Sequence, residues 1–378
     1  MIDRRAVRNF DFTLLVTIIL IVFYGLIILS SATHITMARG GDANIYVKKQ
    51  ALSFIMGLVG IAILIKIDYT RFTKYAKFIY ILNILLLLYV KFFGEEHKGA
   101  QSWVSIGSFN LQPSEFAKIA MIITFAVYLA GKEGKLNKFR DLIPTFLFFG
   151  LPMVLIILQP DLGTALVFIG IYFGMMFMAG AKPAHLIILL LIGTLLVGGV
   201  LTAQLVYGFE KPLKQYQLDR LTIFVDPYKD PKDTGYHVIQ SMVSLGSGGM
   251  WGKGLYQGTQ TRLNFLPEQK NDFIFSVVGE ELGFAGVMLL MALFYIFIVR
   301  GIWIAMKSKD MLGTLLAIGI VSMIVFHLLV NIGMAAGIMP ITGIPLPFFS
   351  YGGSSMLANM LSVGILLNVY LRRQVLTF

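Results

Sequence analysis

The chain has 378 residues, 57% of them hydrophobic and only 13% charged, with a mean hydropathy of +0.78. The charged share is about half that of a soluble globular domain, which excludes one. Cysteine is absent, so disulfides, thiol catalysis and Cys-ligated metals are excluded as well, and the net charge of +11 is better explained by membrane orientation and anionic lipid than by nucleic acid, because most basic residues flank apolar runs.

The first apolar run, 12–31, follows Arg4, Arg5 and Arg8. It is too long for a signal-peptide core and further runs follow, so it reads as an uncleaved first span. Nine more lie at 50–65, 72–93, 114–131, 142–158, 162–181, 183–207, 273–299, 311–336 and 352–371. The start of 72–93 is crowded by Arg71, Lys74 and Lys77, which are expected to snorkel to the interface. Backbone groups in lipid are satisfied within each segment only in helices or closed barrels. The predicted fold is therefore an all-α polytopic membrane protein of about ten transmembrane helices. It forms one domain over 1–378, with a large extracytoplasmic loop, 208–270, between helices 7 and 8.

Orientation follows from short-loop lysine and arginine. One side carries seventeen: Arg4, Arg5, Arg8, Lys66, Arg71, Lys74, Lys77, Lys132, Lys135, Lys138, Arg140, Lys182, Arg300, Lys307, Lys309, Arg372 and Arg373. The other carries five: Arg39, Lys48, Lys49, Lys91 and Lys98. Both termini are predicted to be cytoplasmic and 208–270 to lie outside.

The chemistry-bearing stretches all fall on the outer side. In Leu111-Gln-Pro-Ser-Glu-Phe-Ala-Lys118, Pro113 and Ser114 suit a helix start. Glu115 and Lys118, three apart, share a helix face and pair, as a structural ion pair or as part of a functional cavity. Asp161, in the short turn Gln159-Pro-Asp-Leu-Gly-Thr164, is suited to capping the following helix. Most charges of 208–270, among them Lys211, Lys214, Asp219, Arg220, Lys232 and Asp233, read as a solvated face. Tyr236 to Leu245 has apolar residues at helical spacing and is predicted to lie as an amphipathic helix on the membrane or on the bundle. Gly246 to Gly254 lacks Walker spacing. A flexible turn is favoured there over a phosphate nest.

Asp272 stands where a polar loop meets a span, after Pro267 and beside Lys270; Glu280 and Glu281 follow within one run. Read by type alone, Asp272 is a helix N-terminal residue facing water; a carboxylate at a membrane mouth is otherwise paired, hydrated or used. His327 and Asn331, four apart, share a face as a buried polar pair. The outer turn 337–355 breaks its helix with three prolines and repeated glycine. Broken backbone at membrane depth is tolerated where it is buried or lines a cavity, and in transporters it marks binding sites.

Five stretches together carry a resemblance to the SEDS family (shape, elongation, division and sporulation) of bacterial cell-wall proteins. They are Leu111 to Lys118, Gln159 to Ala165, Phe265-Leu-Pro-Glu-Gln269, Asp272-Phe-Ile-Phe-Ser-Val-Val-Gly-Glu-Glu-Leu-Gly283 and Pro340 to Ser355. The third, and Gly343 to Ser350 within the fifth, look more like the elongation branch than the division branch. One departure is visible: in Lys98-Gly-Ala-Gln-Ser-Trp103, Ser102 stands where the family usually has an arginine, and Lys98 is the nearby substitute.

The resemblance implies a peptidoglycan glycosyltransferase of the bacterial inner membrane. Such an enzyme extends glycan strands from lipid II and releases undecaprenyl pyrophosphate. It implies Asp272 as the catalytic aspartate and Glu115 and Lys118 as a charged pair in the cavity. Asp161, Arg220, Lys270, Ser350 and Ser354 are the further candidates for substrate binding, and no residue is assigned to a metal. The departing pyrophosphate needs lysine, arginine or a divalent cation such as Mg²⁺. Implied partners are a class B penicillin-binding protein and other membrane proteins of the elongation machinery. A lipid II flippase and a non-catalytic scaffold for the transpeptidase are the alternatives.

Overall fold

The computed structural model describes residues 10–34, 44–97, 100–106, 109–207, 220, 223–224, 226–230 and 234–373. The first span forms α1 (Phe12–Ala32), the second α2 (Asn44–Lys66) and the third α3 (Phe72–Phe93). Lys74 and Lys77 at the start of α3 are exposed, as snorkelling requires. A small antiparallel sheet follows: β1 (Glu95–His97), β2 (Ala100–Ile106) and β3 (Phe109–Leu111), in that order. Val104 is opposite Leu111 and Ile106 opposite Phe109. This sheet is an addition to the all-α expectation, and the β-prone run Trp103-Val-Ser-Ile106 accounts for its central strand. Lys98 lies outside the described residues.

Five more bundle helices are α4 (Pro113–Ala130), α5 (Phe139–Ile157), α6 (Leu162–Met178), α7 (Pro183–Tyr207) and, after the loop, α10 (Ile274–Met306). The loop contributes α8 (Thr234–Ser247) and the single turn α9 (Thr259–Arg262), and the chain ends with α11 (Met311–Ala335) and α12 (Gly353–Leu371). Among the described residues, nine helices are long and apolar enough to cross a membrane, and α6 is a tenth, apolar but of 17 residues. The ten predicted spans are thus all helices.

Helices α4, α11 and α12 form the centre, with buried side chains on most of their surface. Around them, α2 packs on α12, α6 and α10 on α11, α3 on α4, and α1 on α10. Close packing without a water-driven force needs small residues at the contact; Gly57 and Gly60 of α2 face Met360 and Leu361 of α12. In α7, by contrast, nearly every described side chain from Ile187 to Val200 is exposed.

The run 273–299 was expected to be one span. It is instead a helix broken at Gly283, where φ is 64° and ψ −162°, a region open essentially to glycine. A break separates the Glu280 and Glu281 carbonyls from the Phe284 and Ala285 amides, which an unbroken helix would bond to each other. The Gly246–Gly254 turn supplies all four missing partners. Lys253 N donates to Glu280 O (3.0 Å) and Gly254 N to Glu281 O (2.9 Å), while Phe284 N donates to Gly249 O (2.9 Å) and Ala285 N to Met250 O (3.1 Å). The glycines let the two backbones meet: a Cβ on Gly252 would collide with the Glu281 carbonyl. The turn is therefore neither a flexible loop nor an anion nest.

The carboxylates beside the break are held by the same loop and by α1. Glu280 is fully buried and accepts from Lys253 Nζ (2.8 Å), Gln260 N (2.8 Å), Thr259 Oγ1 (3.1 Å), Thr261 N (3.1 Å) and Thr261 Oγ1 (2.8 Å). Glu281 accepts from Ser31 Oγ of α1 at 2.6 Å. Helix α8 lies on the bundle as predicted, with Ser241 bonded to Ser276 of α10 (2.6 Å) and to the Ala335 carbonyl of α11 (2.7 Å).

Candidate functional site

Asp272 sits in a turn between α9 and α10. The turn is closed by the Glu268 carbonyl, which accepts from Asn271 N (3.0 Å) and Phe273 N (3.4 Å). Buried Leu266 and Phe273 anchor it on either side. The residue immediately before α10 is Phe273 rather than Asp272, so Asp272 lies one position outside the cap place that residue type alone offers.

Three consecutive carbonyls of this turn are each held from elsewhere in the chain. Lys270 O accepts from Tyr351 N at 3.0 Å, Asn271 O from Ser350 Oγ at 2.7 Å and Asp272 O from Asn331 Nδ2 at 2.9 Å. Two of these donors belong to the broken segment 337–352 and the third to α11. The Asp272 side chain remains half-buried and faces Gly343, where a Cβ would lie 3.6 Å from Oδ2. The proline-rich break and the carboxylate thus form one site. Lys270, two residues away and partly exposed, holds its ammonium 4.0 Å from the centre of the Tyr46 ring.

A second polar cluster lies inside the bundle. Lys118 Nζ donates to Glu115 Oε1 at 2.8 Å, as their spacing predicted, and is also 2.8 Å from His327 Nε2. Glu115 and Lys118 are 2% exposed and His327 0%. His327 Nδ1 is 2.7 Å from the Met323 carbonyl. A carbonyl only accepts, so Nδ1 carries the hydrogen and Nε2 offers its lone pair to the ammonium.

The other candidates divide by location. Asp161 caps α6: Oδ1 accepts from Thr164 N (2.9 Å) and Oδ2 from Thr164 Oγ1 (2.8 Å), with Ser114 Oγ at 3.4 Å. Ser350 donates to Asn271 O and accepts from Leu346 N (2.8 Å). Ser354 donates to Asn110 O (3.0 Å) and accepts from Gln112 N (3.1 Å). Both hydroxyls are buried and engaged with backbone, fastening the break to its neighbours. Of residues 208–225 the structure describes only Arg220, Ile223 and Phe224, and Arg220 is half-buried. Lys211, Lys214, Asp219, Lys232 and Asp233 lie outside the described residues. No three His, Asp or Glu side chains gather into a metal-binding group among the described residues.

Asn331 is the residue whose part sequence reasoning missed. Spacing pairs it with His327, yet its amide turns to Asp272 O and to Ile344 O (2.8 Å). The shared face was readable, but the partners, 59 and 13 residues away, were not.

The sequence matches the family described as "Cell cycle protein", which groups FtsW, RodA and SpoVE, over residues 12–374. The chain belongs to the SEDS family. Among SEDS relatives, it is 37% identical to stage V sporulation protein E of Bacillus subtilis, over 95% of this chain and 96% of that one. It is 35% identical to the peptidoglycan glycosyltransferase RodA of Treponema pallidum, over 98% and 99%. A chain of a peptidoglycan synthase complex, solved to show how polymerization and crosslinking are coordinated, superposes with a TM-score of 0.78 at 30% identity, covering 96% of this chain and 97% of that one.

Proposed function

We propose that this SEDS protein is a peptidoglycan glycosyltransferase that polymerises lipid II during cell-wall elongation, with Asp272 as proton acceptor. The observation that carries the reading is the threefold anchoring of the 270–272 backbone, which leaves a half-buried carboxylate fixed beside the broken segment. A catalytic group held by surrounding hydrogen bonds loses no freedom when it acts.

The step follows from the chemistry of a polyprenol pyrophosphate donor. A sugar hydroxyl of one glycan attacks the anomeric carbon of the other and forms the new C–O bond. The bond to undecaprenyl pyrophosphate breaks, its electron pair leaves with the phosphate oxygen, and the hydroxyl proton passes to Asp272. Lys270 is the cation nearest in sequence and is partly exposed, so it suits the departing pyrophosphate. Lys118 is enclosed between Glu115 and His327 and acts as a structural charge in this arrangement. The elongation role rests on the stretches Phe265 to Gln269 and Gly343 to Ser350.

The cytoplasmic membrane is the proposed location, with both termini inside and Asp272 outside. Supporting this, Arg300 and Arg372 pair with Asp11 and Asp68 at the opposite end of the bundle from Asp272. A class B penicillin-binding protein is the proposed partner, in keeping with the synthase complex that the fold matches.

The deciding experiment uses purified protein and lipid II. Asp272→Asn should remain folded and bind lipid II while polymerisation falls by about 10²-fold or more. Glycan polymer at the parent rate from folded Asp272→Asn would end the assignment. Transfer of lipid II across liposomes without polymer would favour the flippase, and neither activity would leave the scaffold.

A further inference from the structure

We propose that Asn331 is a positioning residue, one that acts on the reaction through Asp272 without touching substrate. The inference rests on the assignment of Asp272 as the proton acceptor.

Asn331 is 0% exposed in the outer part of α11. Its side-chain nitrogen donates to the Asp272 carbonyl at 2.9 Å and to the Ile344 carbonyl at 2.8 Å. Both amide hydrogens are therefore committed, each to a different segment of the chain. Its Oδ1 has no hydrogen-bond partner among the described residues, so the donor end alone accounts for an amide at this place.

The two segments both border the carboxylate. Asp272 O belongs to the acid itself. Ile344 O belongs to the broken turn, one residue after Gly343, whose left-handed φ of 72° turns the backbone toward Asp272 Oδ2. A single amide thus sets both the position of the carboxylate's backbone and the distance to the wall it faces. A carboxylate at 331 has no hydrogens to give, and serine or threonine has one where two are used. A misplacement of about 1 Å at a reacting group costs on the order of 10²-fold in rate. Loss of the fork should therefore appear in turnover rather than in affinity.

The test compares Asn331→Ser, Asn331→Ala, Asp272→Asn and Asp272→Asn/Asn331→Ala as purified full-length proteins, with lipid II as substrate and melting recorded on each sample. The expected result is a cooperative melt for both single changes at 331, KM near the parent value, and kcat lower by about 10²-fold for Asn331→Ala and less for Asn331→Ser, which keeps one donor. The pH–rate profile of both should shift on its acid limb, and Asn331→Ala should add little to Asp272→Asn. Parent-level kcat in the 331 variants, a raised KM with kcat unchanged, an unmoved acid limb, an undiminished effect in the Asp272→Asn background, or failure of both variants to fold would each overturn the inference. Polymerisation at the parent rate by Asp272→Asn would instead remove the assignment beneath it, so the two failures are distinguishable.

Discussion

Lys118 shows at the scale of one residue how a charge is kept inside this bundle. Its ammonium has a carboxylate on one side and a neutral imidazole on the other, both within 2.8 Å. Removing one partner of a buried pair strands the other, at a cost of about 3–5 kcal/mol. Lys118→Ala should therefore lower the melting temperature in detergent sharply. Glu115→Gln with Lys118→Met should cost less than the two single changes added together, because neither charge is then left alone. Strict additivity would show that the pair is not coupled. His327→Phe removes only a neutral acceptor and should cost about 1–3 kcal/mol. Glu115 and Lys118 were legible in the sequence because three-residue spacing on a helix fixes a shared face. The third member was not, since its contact joins α4 to α11 across 209 residues.

At the scale of the element, α10 is two helices joined through another part of the chain. Gly283→Ala would put a Cβ against Gly252 N and force an L-residue into a region that costs about 1–3 kcal/mol even without a clash. We expect a lower melting temperature and faster proteolysis of the 248–262 loop than in the parent; an unchanged melt and an unchanged cleavage pattern would show that the splice is dispensable. The spans were readable from hydropathy alone because each needs its backbone satisfied internally. The break was not readable: Val277-Val-Gly-Glu-Glu-Leu-Gly283 contains no proline, and its repair partners lie some thirty residues earlier in a glycine run that reads as a loop. The sheet at 95–111 is not legible in the sequence because its strands are short and its outer ones have three residues each. Asp272 stands out in the sequence by its place at the mouth of a span, and the family resemblance, rather than the residue type, lifts it above a helix cap.

At the scale of the whole molecule, the two ends differ in how they handle charge. One end holds Arg300 on Asp11 at 2.6 Å, Arg372 on Asp68 at 3.3 Å and Lys309 over the Tyr69 ring. The other holds Asp272, Lys270 and the broken segment. A reporter active only in the cytoplasm, fused after Gly258, should be silent on the proposed orientation, and activity there would invert it. Arg300→Ala removes the cation from Asp11, whose side chain is 0% exposed. It should destabilise that end while leaving the KM for lipid II unchanged, a separation that measuring the melt and the kinetics on one sample would test.

The splice at Gly283 also constrains the order in which the chain is built. The partners that complete α10 at its break come from residues 249–254, which are synthesised before it and, on the proposed orientation, must first cross the membrane. Phe284 to Met306 can insert as an ordinary span as soon as it is made. The piece from Ile274 to Leu282 cannot join it in its final register until the loop meets it. Asp272, at the head of that piece, is therefore set in place only after its neighbours are in the bilayer. On that orientation the site would be the product of late assembly, and a chain stalled with its loop on the wrong side would have its spans but no mouth.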